Sequence, residues 1–337
     1  MKFLRALVAI ASFAYVAMFA YVAVMRLRAP SELTPLPPFM GTPSALAQQA
    51  VAIVATIVTA ACIWRMSRTH GGSGFWAWAS VGIFFAGFAL TGFTYDLDAG
   101  TSLCTALIAM AAVVTSEARG AIGAVLGGLL LGAACLLRSP AALLVVFAFF
   151  TLIKTPGRAF GLLLAAAAVV APIALWQRHA FWAYALKLPY SFADLRTLGH
   201  DLPRAFTILI ATMGVVPTLW RKPSLFAALM FASFVAALAS HTLLFWIPFG
   251  CIALALLASR IEVLLVGNLL AARAGELLCA VVLAQLALLA YNPRALRPIA
   301  APTAASTPAP QHRPRRNTAR SARGTHRACT ARRAAAR

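Results

Sequence analysis

Residues 120–153 read GAIGAVLGGLLLGAACLLRSPAALLVVFAFFTLI, and this stretch decides the class of fold. Arg138 is its only charged side chain. A helix on the surface of a soluble protein shows polar residues on one face, whereas a helix that is apolar all round is enclosed by a large core or by lipid. Neither half of 120–153 has a polar face. The run is broken at Arg138-Ser139-Pro140, where proline lacks an amide hydrogen and pushes the residue before it out of helical geometry. Two helices are therefore expected, over 120–137 and 140–153. The second is short for a span of about 20 residues. Two full crossings and a helical hairpin that dips into the bilayer and returns both satisfy the pattern.

Working outward, the same length rule gives further apolar runs at 6–25, 44–64, 74–94, 102–116, 159–176, 205–220, 224–240, 242–258 and 275–291. The expected fold is an all-α, polytopic transmembrane helical bundle of ten or eleven spans over residues 1–295. Composition agrees: 62% of the chain is apolar and 11% charged, against about 25% charged in soluble domains. Lys2 and Arg5 precede a run that continues to Met25 without a small-residue cleavage site, so an uncleaved first span with its N-terminus inside is expected. Residues 296–337 change to Ala, Pro, Thr, Ser and Arg, a composition that cannot bury a core and reads as a disordered basic tail.

Lys+Arg number 29 against 8 Asp+Glu, but eleven of the arginines lie between Arg294 and Arg337. In the body the bases gather at turns, with Arg65, Arg68, Arg119, Lys154 and Arg158 on the side assigned to the cytoplasm and Arg26, Arg28, Arg138 and Lys187 opposite. That pattern suits anionic lipid head groups rather than nucleic acid. Bases split into 25 Arg and 4 Lys and alanine is abundant, as GC-rich bacterial coding would give, so a multi-pass protein of a bacterial inner membrane is expected. Cys62, Cys104, Cys135, Cys251 and Cys279 sit in apolar runs without ligand spacing and read as small buried hydrophobes.

A charge at the centre of a spanning helix costs about 2.5 to 3.5 kcal/mol on insertion scales, which makes the few polar positions informative. Asp96 and Asp98, within Tyr95-Asp96-Leu97-Asp98, are suited to binding a divalent cation or to taking a proton from a hydroxyl nucleophile; a solvated turn that caps the next helix through Asp98 or Thr101 is the plainer reading. Arg138 is suited to gripping a lipid phosphate with a bidentate guanidinium, and equally to snorkelling among ordinary head groups. The stretch from Gln177 to Pro203 reads as a polar, aromatic loop with Phe181, Trp182, Tyr184, Tyr190 and Phe192, able to stack on sugar rings or to form an interfacial belt. There is no Gly-rich phosphate loop, nucleophile elbow or zinc spacing, and no required cofactor is implied.

The segments GFTYDLDAGTS (92–102), GGLLLG (127–132) and LLRSPA (136–141), with LPPFM (36–40) in a proline-rich first loop and LAYNPR (289–294) after the last span, resemble bacterial membrane glycosyltransferases of the GT-C class, family 39-like. The resemblance implies a sugar donor carried on polyprenyl phosphate and a glycan, lipid or protein acceptor at the outer face. It places Arg138 near the donor phosphate and Asp96 or Asp98 along the outer cavity; the candidate catalytic acids are then Asp96, Asp98 and Glu32, and Tyr95, Trp182, Tyr184 and Tyr190 are the candidate lipid or substrate contacts. It departs from that group in two places. The first loop has Glu32 as its only acid, and Ala99 and Thr101 stand where the group carries an Arg and an Asp before the position of Ser102. An inactive, degenerate or truncated homologue is the alternative; a transporter, which would place ionisable groups near the bilayer midplane, is a further one.

Overall fold

A computed structural model describes residues 2–28, 44–70, 74–91, 99–117, 120–186 and 225–240, together with 248–253, 255, 256 and 259. These residues are helical, with no strand among them. The helices are α1 (Lys2–Arg28), α2 (Ala45–Thr69), α3 (Gly74–Thr91), α4 (Ala99–Glu117), α5 (Ala121–Leu137), α6 (Ala142–Leu152), α7 (Pro156–Trp176), α8 (Arg178–Leu186) and α9 (Leu225–Ser240), with a 3-10 turn at Ser139–Ala141 between α5 and α6. Four of them are long and apolar enough to cross a membrane: Arg5–Arg28, Ala45–Thr69, Ala99–Glu117 and Pro156–Trp176. Their outward faces carry Ile10, Phe13, Leu164, Leu175 and Trp176, the last 89% exposed. Exposed apolar side chains in that number, on helices long enough to cross a bilayer, are stable against lipid or another apolar partner, which marks a membrane protein. Spans expected at 205–220 and 275–291, and the tail at 296–337, lie outside the described residues.

Small residues determine how the helices pack. A Cβ built at Gly128 would fall on the carbonyl oxygen of Leu162, and one at Gly132 would stand 2.7 Å from that of Ala166, so α5 and α7 run backbone to backbone. Both contacts advance together along the two helices, which are therefore parallel, and the 3-10 turn with α6 carries the chain back between them. On another face of α5 a Cβ at Gly127 would meet Thr115 of α4, while Cys104 Sγ donates to the carbonyl of Ala134 at 3.5 Å. That order is antiparallel. Close approach through small residues is the usual basis of helix association in lipid, where no hydrophobic force draws apolar helices together. On the other side of the bundle Gly82 of α3 takes the side chain of Ser12 from α1, and Ser67 of α2 shares a 2.9 Å hydroxyl contact with Ser80 of α3.

Two local expectations are corrected. Helix α1 continues over Arg26 and Arg28, which the sequence reading put in the first loop; no helix breaker precedes Pro30, and cations in a last turn are favoured by the helix dipole. Residues 178–186, read as loop, form α8, because Ala180, Ala183, Ala185 and Leu186 favour helix. Of the cysteines, Cys104 and Cys251 are buried, whereas Cys62 and Cys135 are only half-buried against the core.

Candidate functional site

The polar chemistry of the described bundle divides between the two ends of α4. At its head the chain from α5 arrives in the break foreseen from Pro140. The amide of Arg138 still donates to the carbonyl of Ala134 at 2.9 Å, closing α5, but the residue itself is extended, with φ −146° and ψ 110°. Pro140 then occupies the first turn of the 3-10 helix, where an amide hydrogen would have no helical partner, so its missing donor costs nothing. The amide of Ala141 donates back to the carbonyl of Arg138 at 3.0 Å, fixing the corner.

From this corner the half-buried guanidinium of Arg138 reaches α4, where Nη2 donates to Thr101 Oγ1 at 2.8 Å. Thr101 is 6% exposed and lies among buried Ala99, Ser102 and Thr105; the Thr105 hydroxyl donates to the Thr101 carbonyl at 2.9 Å. The head of a helix carries partial positive charge from its aligned peptide dipoles. A guanidinium held beside it adds a full one, and the two together favour an anion with several acceptor oxygens, such as a phosphate ester.

The foot of α4 is built differently. Arg65 of α2 donates through Nε to both carboxylate oxygens of Glu117, at 2.6 and 2.8 Å, and Nη2 lies 2.6 Å from Oε2. Arg68 rests over the Trp64 ring at 5.5 Å. His70, at the end of α2, stacks on Phe226 of α9 with ring centroids 4.2 Å apart, and burial holds its imidazole below the ordinary range. Its Nε2 has no hydrogen-bond partner among the described residues.

Of the residues expected from sequence, Arg138 is at the site and Trp182 is exposed on α8, beside buried Phe181. Tyr184 belongs to the same helix. Glu32, Tyr95, Asp96, Asp98 and Tyr190 lie outside the described residues, so Arg138 and Trp182 are the members whose surroundings are seen. Thr101 sits inside α4 rather than ahead of it, and Asp98, the other residue of the plainer capping reading, lies outside the described residues. Sequence reasoning also passed over Glu117. Its only signal was that span counting puts Arg65 and Glu117 at the same end of the bundle. Among the described residues no three His, Cys, Asp or Glu side chains gather as metal ligands.

No protein family, curated protein or solved structure matches the chain.

Proposed function

We propose that this protein is a membrane glycosyltransferase of the GT-C type, which takes a sugar from a polyprenyl-phosphate donor and passes it to an acceptor hydroxyl at the outer face of a bacterial inner membrane. The observation that carries the reading is Arg138, held at a helix break beside the head of α4 by Thr101. As the bond between the anomeric carbon and the phosphate oxygen lengthens, the departing polyprenyl phosphate gains negative charge. A fixed guanidinium stabilises that charge more in the transition state than in the bound donor, which is what lowers a barrier. The acceptor oxygen forms the new bond to the anomeric carbon, and its proton passes to a carboxylate, for which Asp96, Asp98 and Glu32 are the candidates. Trp182 and Tyr184 of α8, with Tyr95 and Tyr190, supply stacking surfaces for donor or acceptor.

A second reading, a homologue that binds the lipid phosphate without transferring sugar, draws on Ala99 and Thr101, neither of which is an acid or a base. Transfer of label from radiolabelled polyprenyl-phosphate sugars to endogenous acceptors, in membranes containing the chain, tests the two. Transfer above background that Arg138→Ala and Asp96→Asn both abolish is expected. Folded, inserted protein that transfers none of the common sugars would leave the binding-only reading.

A further inference from the structure

We infer that Thr101 is a positioning residue for the lipid phosphate, acting through Arg138; the inference rests on the reading of Arg138 as the phosphate-binding group. An arginine side chain has many rotamers and, at a membrane surface, is drawn toward the head groups. To receive one phosphate in one orientation it must be held before the lipid arrives. Thr101 is built to do so. It is buried, its β-branched side chain has few rotamers, and its turn of α4 is tied by the Thr105 hydroxyl to the Thr101 carbonyl. Its Oγ1 meets Nη2 at 2.8 Å, 37 residues away in sequence. As an acceptor it fixes one edge of the guanidinium plane and adds no negative charge of its own, so this contact orients the cation without opposing an anionic ligand.

Nearby contacts keep both partners in register. One turn further along α4, Cys104 donates to Ala134, the carbonyl that also accepts the Arg138 amide. Helix α4 therefore meets the end of α5 at two levels, and at one of them Thr101 touches the charged group. Its hydroxyl should act on lipid binding far more than on folding.

The experiment is equilibrium binding of a radiolabelled polyprenyl phosphate to the full chain in phosphatidylcholine nanodiscs. Phosphatidylglycerol and inorganic phosphate serve as competitors, and melting temperature is recorded for every variant. Thr101→Val, which keeps the shape and loses the acceptor, is expected to weaken binding about tenfold, while Thr101→Ser stays within about twofold of wild type and both melt as wild type does. In the Arg138→Ala background, Thr101→Val is expected to add nothing further, because its effect passes through that guanidinium. Equal binding by wild type and Thr101→Val, loss in Thr101→Ser as large as in Thr101→Val, or additive losses in the double variant would each overturn the positioning role while leaving Arg138's role standing. Should Thr101→Val not fold, Thr101→Ser against Thr101→Ala gives the same comparison. Wild type that binds no polyprenyl phosphate, or only as well as phosphatidylglycerol displaces it, would instead sink the phosphate-binding reading itself, and this inference with it.

Discussion

Helix α4 holds an arginine at each end, and the two are held in opposite ways. At the foot, Arg65 is 63% exposed and meets the Glu117 carboxylate through several charged contacts. At the head, about 24 Å away along the axis, half-buried Arg138 meets the hydroxyl of Thr101. The first arrangement cancels charge in the presence of solvent, where such pairs contribute little and are screened by salt. The second contact supplies orientation and adds no charge of its own. An arginine paired with a carboxylate at an exposed helix end is a clasp between α2 and α4; a hydroxyl orients its arginine without contributing charge.

The contrast is most open to attack through the arginines themselves. Arg138→Ala should lower sugar transfer by about a hundredfold or more, the scale of losing one oriented charge-stabilising group, whereas Arg65→Ala should leave transfer within about threefold of wild type. Similar losses in both would mean that the two ends of α4 do not differ in role. Next in size is a change that spares every charge. Gly128→Val places a side chain against the Leu162 carbonyl and should destabilise the bundle by about 1 to 3 kcal/mol, seen as a lower melting temperature in detergent. Unchanged melting would show that α5 and α7 part without cost.

Smaller effects sharpen the picture of the foot. Glu117→Gln should lower the melting temperature slightly at low salt, with the difference fading at high salt; a salt-independent drop would give the pair a packing role instead. His70 should give a modest pH dependence. Its imidazole is held below 6.5 by burial, so the folded state prefers it neutral, while the unfolded chain takes up a proton as pH falls through about 6.5. Its share of stability is thus complete above that pH and is lost below it. Wild type should lose melting temperature between pH 7.5 and 5.5 more steeply than His70→Phe, which keeps the ring against Phe226; parallel slopes would rule out His70 as the source.

Much of this was legible because single residues broke strong patterns. A lone Arg and a Pro in the apolar run 120–153 announced both the corner and the candidate site, and the two helices stand where the run divides. Thr101 as the partner of Arg138 was not legible: a hydroxyl 37 residues away, in a sequence rich in Ala, Ser and Thr, carries no pairing signal. Glu117 was hidden for a related reason, since a carboxylate at a helix end looks like any solvated terminus. The glycines at 127, 128 and 132 were visible as a segment, but which helix each one admits depends on three-dimensional placement. Helix α8 was missed because its charged and aromatic residues suggested a loop, although its alanines and leucine support a helix.

The seam between α5 and α7 has a consequence for traffic. With the Leu162 and Ala166 carbonyls pressed against Gly128 and Gly132, α5 and α7 leave no room for an isoprenoid tail between them at these two levels. Under the proposed function, a lipid docked at Arg138 would lay its hydrocarbon elsewhere than between these glycines, which would narrow its route of approach without touching it.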